Sequence, residues 1–379
     1  MIVRSRPHIR VLLATGALLL LGACTSGGGS DGSAAPPGTA SGANPTGSAA
    51  TRASSAAAPG TAAARPAGEF TLSFAGDVHF SGRVAKRLAK DPATVFGEAA
   101  AGLGKADLTM VNLETAVTTG GQAQNKAFTF HAPPAAFTAL RDAGVDVATM
   151  ANNHGADYGA SGLDDSLAAI KSSGFPVVGI GRNAAQAYAP YRTTLHGVKV
   201  AIIAADQVQD ETTLRLFSAG ANKPGVANAF SAKLLTAVRN AKAEGYVVVV
   251  YVHWGTEYKT CPSGNQTGLA DALAHAGASA VIGTHAHVLQ GAGWRSDGTY
   301  VAYGLGNYLW WMSFGNNQDD NGVLTLTFRH STVVGDSFAP SHLDDRGVPL
   351  PATGGTRQRI AAEWKADRNC TDLAATPPR

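Results

Sequence analysis

One pattern recurs between residues 135 and 290 and leaves few folds open: an amphipathic helix, a glycine, a short apolar run rich in β-branched residues, then a polar motif. Phe137, Leu140 and Ala143 precede Gly144, after which "VDVATM" runs into "ANNHGADYG". Leu163, Leu167 and Ile170 precede Gly174 and "PVVGI". Leu234, Val238 and Ala241 precede Gly245 and "YVVVVYV", which ends in "HWG"; Leu269, Leu273 and Ala276 precede Gly277, "ASAVI" and "GTHAH". Apolar positions three and four apart mark helices, short β-branched runs mark buried strands, and a glycine after the last apolar position is the expected helix stop. Strands alternating with helices predict an α/β fold with a largely parallel sheet.

Two earlier runs obey the same rule. "FTLSFA" ends in "GDVHFSGR", and "ADLTMV" ends in "NLET". Five polar motifs therefore sit where a buried strand gives out, which in open α/β sheets is where ligand sites gather. The later segments "GTYVAYGLGNYLW" and "GVLTLTF" read as further strands, expected to be antiparallel.

Collected, the strand-end residues are Asp77, His79, Glu114, Asn153, His154, His253, His285 and His287. Carboxylates, a carboxamide and imidazoles without a thiol suit Mn, Fe or Zn in a reactive site rather than a thiolate structural zinc site. Without His154, the remaining seven donors exceed what one ion takes from protein. Two ions sharing a carboxylate would use them all, and a pair about 3.5–4 Å apart can clamp both oxygens of an in-line phosphoryl displacement. Taken singly, each residue has a plainer reading: a turn aspartate, a strand-ending asparagine, a core histidine beside Trp254. The convergence of all of them at strand ends is what carries the prediction.

The motifs "FAGDVHFSGR", "VNLETAV", "ANNHGADYG", "YVHWGTEY", "IGTHAHVLQG" and "YGLGNYLW" resemble, in order, those of bacterial CapA proteins, associated with poly-γ-glutamate capsule synthesis. That family is in turn similar to calcineurin-like metallophosphoesterases, which implies a four-layer sandwich of two stacked β-sheets flanked by α-helices. The resemblance implies that Asp77, His79 and His287 hold one divalent metal ion and Asn153, His253 and His285 a second, with Glu114 bridging. His154 would face the substrate as general acid or transition-state stabiliser. The phosphoesterases bridge with Asp, so Glu114 is one methylene longer. Many CapA proteins have Met where this chain has His79, and its D-x-H matches the phosphoesterase pattern. Arg83 is a candidate for holding a substrate anion. Glu257 is a candidate for orienting a metal-bound histidine from behind, and Asp157 for doing the same in the "NNH" loop or capping a helix near Ser161. "GIGRNA" mimics a dinucleotide fingerprint but meets Pro190 within two turns and is discounted.

The ends of the chain suggest export. "MIVRSRPHIR" carries three arginines and no acid, and an apolar run from Val11 to Leu21 leads to "LGAC". This describes a secretory signal, too short to span a bilayer, which needs roughly 20 apolar residues. "LGAC" resembles a lipobox, which implies cleavage of residues 1–23 and lipidation of Cys24, with acyl chains contributing about 0.8 kcal/mol per buried methylene. Residues 24–68, almost entirely Gly, Ser, Ala, Thr and Pro, are expected to form a flexible tether, leaving 69–379 as one large folded domain. The chain has 30 basic and 27 acidic residues; losing Arg4, Arg6 and Arg10 with the signal balances them at 27 each, so nothing points to nucleic acid. In an exported protein the two remaining cysteines, Cys261 and Cys370, are expected to pair.

The resulting expectation is a CapA-like lipoprotein on the outer face of the cell membrane, acting as a phosphoesterase-type, metal-dependent hydrolase. Its substrate would be an envelope polymer or its phosphorylated precursor, within a capsule synthesis machinery. The alternative is a non-catalytic factor that binds poly-γ-glutamate or another anionic polymer during capsule assembly.

Overall fold

The computed structural model describes residues 66–379 other than 209 and 211. The signal, Cys24 and the tether up to residue 65 lie outside the described residues. In chain order the main elements are β1 (Glu69–Val78), α1 (Gly82–Lys90), β2 (Leu108–Leu113), α2 (Ala135–Asp142), β3 (Val147–Thr149), α3 (Gly159–Ser173), β4 (Val198–Asp206), α4 (Ala232–Ala243), β5 (Val247–His253), α5 (Gly264–Ala276), β6 (Ala280–Thr284), β7 (Asp320–Arg329), β8 (Thr332–Leu343) and α6 (Gly354–Ala366). The helix stops fall where glycines were expected: Gly174 ends α3 and Gly277 ends α5, both with positive φ. A capping box between Ser263 and Gln266 starts α5.

These elements build two sheets. The first has eight strands, with β8, β7, β1, β2 and β3 side by side in that order; β1, β2 and β3 run parallel. The second has six, with β6, β5 and β4 adjacent and parallel. Alternation along the strands decides the layering. Phe70, Leu72, Phe74 and Met110 of the first sheet pack against Ile202, Val249, Tyr251 and Ile282 of the second. The Tyr251 hydroxyl adds a hydrogen bond of 2.7 Å to the Ala75 carbonyl across this layer. The outer face of the first sheet meets Phe137 and Leu140 of α2 and Leu163 of α3. The outer face of the second meets Leu234 and Val238 of α4 and Leu273 of α5. The fold is therefore the expected four-layer sandwich, two stacked sheets between helices.

Strand direction after residue 290 departs in part from expectation. β7 and β8 are antiparallel to their neighbours, but Tyr300–Ala302 lies parallel to β6 and Asn307–Leu309 parallel to the end of β1. An alternating or apolar run reads the same in either direction, so direction is fixed by where the chain crosses between sheets, here across Tyr303–Gly306.

Cys261 and Cys370 are joined, with Cα atoms 5.3 Å apart and a sequence separation of 109. The bridge ties the loop after β5 to the 3-10 turn Asp367–Cys370. Closing so long a loop is worth roughly 4–5 kcal/mol in the chain-entropy model. The Cys261→Ala/Cys370→Ala variant is expected to melt well below the parent in calorimetry, and an unchanged midpoint would refute that contribution.

Candidate metal centre

Both sets of parallel strands end at the same edge of the sandwich, and the polar motifs meet there. Asp77 closes β1 opposite Asn112 on β2, and Glu114 follows β2 directly. Asn153 and His154 lie in the turn after β3; His253 ends β5, beside Thr284 at the end of β6. His285 and His287 follow in a turn, not in extended chain. Both adopt left-handed backbone, with φ of 90° and 56°. Such conformations are costly for a side-chain-bearing residue and cluster at functional sites. Here they aim the two imidazoles differently: His285 Nδ1 lies 3.1 Å from His253 Nε2, whereas His287 Nδ1 lies 3.4 Å from Asp77 Oδ2.

Of the three donor groups that result among the described residues, two share one carboxylate. Glu114, His253 and His285 offer ligand atoms within 4.8 Å of one another, and so do Asp77, Glu114 and His287. Asn153 Oδ1, 2.9 Å from His253 Nε2, completes the first group. Glu114 Oε1 stands 3.6 Å from the same nitrogen. The buried surroundings hold these atoms in place. Asn112 donates to Asp77 Oδ1 at 2.8 Å and lies 3.2 Å from His253 Nδ1, which is also 3.1 Å from Thr284 Oγ1. Asn307 Oδ1 is 2.8 Å from His287 Nδ1.

The chemistry of this donor set fits divalent cations. Both oxygens of Glu114 are buried without a hydrogen-bond donor, an arrangement that costs free energy unless a cation satisfies it. Burial, then the nearby Asp77, pushes the Glu114 carboxyl well above the usual range. Burial first, then neighbouring imidazoles, holds His253 and His285 well below the ordinary histidine value, so their nitrogens carry lone pairs. Neutral imidazoles around an unpartnered carboxylate are a ligand set awaiting positive charge.

His154 stands beside both groups and belongs to neither. Its Nδ1 is 2.6 Å from Asp157 Oδ2, and its Nε2 is 3.8 Å from Glu114 Oε1. Asp157 thus orients His154. Burial lowers the His154 pKa and the Asp157 hydrogen bond opposes it. Lys126, from the stretch before residue 131, braces this pair: its Nζ lies 2.9 Å from Asp157 Oδ1, 3.0 Å from Asp210 Oδ2 and 2.6 Å from the Asn153 carbonyl. Lys126→Met would strand two carboxylates with little solvent access. An expected loss of about 2–4 kcal/mol is readable by urea denaturation, and a loss under a quarter of that would show the bridge to be incidental.

Three expected site residues are placed differently. His79 joins neither donor group: its Nε2 accepts the Trp311 amide at 3.1 Å, and its ring packs on Trp310 and Phe130. Just past the end of β1, that imidazole faces the 310–311 loop. Arg83 is exposed and donates to the Asp345 carbonyl, because α1 carries it onto the surface. Glu257 stands against two site histidines rather than one. It is exposed on the solvent side, its carboxylate within 4.8 Å of ligand atoms of His285 and His287. Asn112, Asn307 and Lys126 were not singled out in the sequence; the first two stand inside the quoted strand motifs, and Lys126 lies in a stretch with no periodic signal.

The family model for the bacterial capsule synthesis protein PGA_cap matches residues 71–310, a span that contains every residue of both donor groups. The chain belongs to this family. Among PGA_cap relatives, the capsule biosynthesis protein CapA of Bacillus anthracis is 32% identical over 223 residues, covering 57% of this chain and 52% of that protein. The PGA biosynthesis protein CapA of Bacillus subtilis is 33% identical over 171 residues, covering 45% and 44%. The chain thus spans about half the length of the curated relatives it matches. Among solved structures, a novel phosphatase from Mycoplasma pneumoniae aligns at 15% identity and a TM-score of 0.45, covering 73% of this chain and 95% of that one. A hypothetical protein from Thermus thermophilus aligns at 18% and 0.43, covering 71% and 98%.

Proposed function

We propose that this PGA_cap protein is a metal-dependent hydrolase of phosphoester type, acting on an envelope polymer or its phosphorylated precursor in capsule metabolism. The observation that carries this reading is the pair of donor groups sharing Glu114, with the His154–Asp157 pair alongside. Asp77 and His287 would hold one divalent ion, and Asn153, His253 and His285 the other. Such ions supply Lewis acidity and lower the pKa of water. The chain's own residues do the rest. Asn112 and Asn307 fix the orientation of Asp77 and His287, and Thr284 lies where a proton on His253 Nδ1 finds an acceptor when Nε2 is turned toward an ion. His154, its Nδ1 held by Asp157, presents Nε2 to the same space and would stabilise or protonate a departing oxygen. Export and acylation at Cys24 would put the domain on the outer face of the membrane, which mass spectrometry of the mature N-terminus would test.

The deciding experiment pairs elemental analysis with a hydrolysis screen on p-nitrophenyl phosphate, bis(p-nitrophenyl) phosphate and γ-glutamyl p-nitroanilide, with added Mn or Zn. Metal uptake with phosphoester turnover supports the proposal. Uptake with no turnover of any ester or amide favours a polymer-binding assembly factor, and no uptake removes both metal-based readings.

A further inference from the structure

Above the donor groups lies a cleft whose walls are aromatic: Phe128, Tyr258, Trp310, Trp311 and Phe314, with Glu257 at the rim. His154 and His287 form part of its floor, so whatever binds the centre passes these rings. Phe128 and Tyr258, 60% and 55% exposed, are the two most exposed of four exposed large hydrophobic side chains among the described residues. Their concentration at one mouth marks a binding surface rather than scattered surface residues. The wall is also built. Asp319 accepts from Ser313 Oγ, Phe314 N and Gly315 N at 2.6–2.8 Å, and the Trp311 amide is held by His79. His287 packs 4.8 Å from Trp310 and 6.2 Å from Tyr258, ring centre to ring centre.

The charge of this lining is one-sided. Among the described lining residues there is one carboxylate, Glu257, and no lysine or arginine. Lys126, which braces Asp157 beside His154, is committed to Asp157 and Asp210. Aromatic faces and a carboxylate both attract positive charge, the combination found in ammonium-binding cages. A polyanion would meet no lysine or arginine in this lining and would face the Glu257 carboxylate. A bare sugar would ask for more hydrogen-bonding side chains than Glu257, Tyr258 and Gln318 provide.

We infer that the cleft selects a zwitterionic ligand, in which an ammonium group sits a few atoms from the anionic group that reaches the metal centre. The inference rests on the metal-centre reading for the anionic end only; the aromatic wall and Glu257 account for the other end by themselves.

Titration calorimetry on the Mn-loaded domain compares phosphocholine with 3,3-dimethylbutyl phosphate, its isostere in which a neutral tert-butyl group replaces the trimethylammonium. Phosphocholine is expected to bind about tenfold tighter. Phe128→Ala, at an exposed position, is expected to shrink that ratio to within about threefold, with metal content and affinity for inorganic phosphate unchanged. Equal binding of the two esters overturns the inference. Choline against 3,3-dimethylbutanol, on chelator-treated protein, reads the aromatic wall alone. A preference there stands even where metal uptake or turnover fails, and no preference there counts against the inference whatever the metals do. Sedimentation with phosphatidylcholine vesicles then separates a lipid headgroup from a soluble ester as the source of the ammonium group.

Discussion

Glu114→Gln is expected to abolish paired metal binding and lower any metal-dependent turnover by about three orders of magnitude or more, because Glu114 alone serves both donor groups. Its effect on the metal-free protein should be of the opposite kind. In that state the buried carboxyl has no donor on either oxygen and is pushed toward its protonated form by burial and Asp77. An amide of nearly the same shape carries no charge to desolvate and brings a donor to the imidazole nitrogens around it. The metal-free variant should therefore melt no lower than the metal-free parent. What it loses is the stabilisation that added Mn or Zn gives the parent, about 2.7 kcal/mol at a hundredfold excess over Kd. Elemental analysis and melting curves with and without metal check both halves. A variant that keeps two ions per chain would overturn the bridging assignment.

His154→Ala should separate binding from chemistry. His154 belongs to neither donor group, so both ions are expected to stay, while kcat falls by roughly 10²–10⁴ with little change in KM. Asp157→Asn should follow in the same direction with a smaller loss, since it acts on the ring through the 2.6 Å contact at Nδ1 and also weakens the pairing with Lys126. If His154→Ala instead emptied the centre of metal, His154 would be a ligand and the division of roles would fail.

Much of the fold and site was legible, from two periodicities and from the family resemblance. Helical spacing and β-branched runs gave the alternating helices and strands, and the resemblance implied their stacking as a four-layer sandwich. The ends of the apolar runs located Asp77, Glu114, Asn153, His253, His285 and His287, which the fold gathers at one edge. What escaped was set by geometry that periodicity does not encode. The direction of the strands at 300–302 and 307–309 depends on a crossover between sheets. His285 and His287 diverge because of left-handed backbone, which no periodicity marks. His79 sits at the same strand end as Asp77, yet the nearby 310–311 loop draws its nitrogen away. Arg83 follows α1 to the surface, and Lys126 arrives from a stretch with no pattern to read.

The two donor groups draw on both sheets: Asp77 and Glu114 come from the first, His253, His285 and His287 from the second. The pair of groups that share Glu114 is complete only once the layer containing Phe74 and Tyr251 has closed. Ion uptake would therefore time the last stage of assembly. In stopped-flow refolding it should coincide with burial of that layer, after helix formation, and a loaded centre should act as a rivet that slows the parting of the sheets during unfolding.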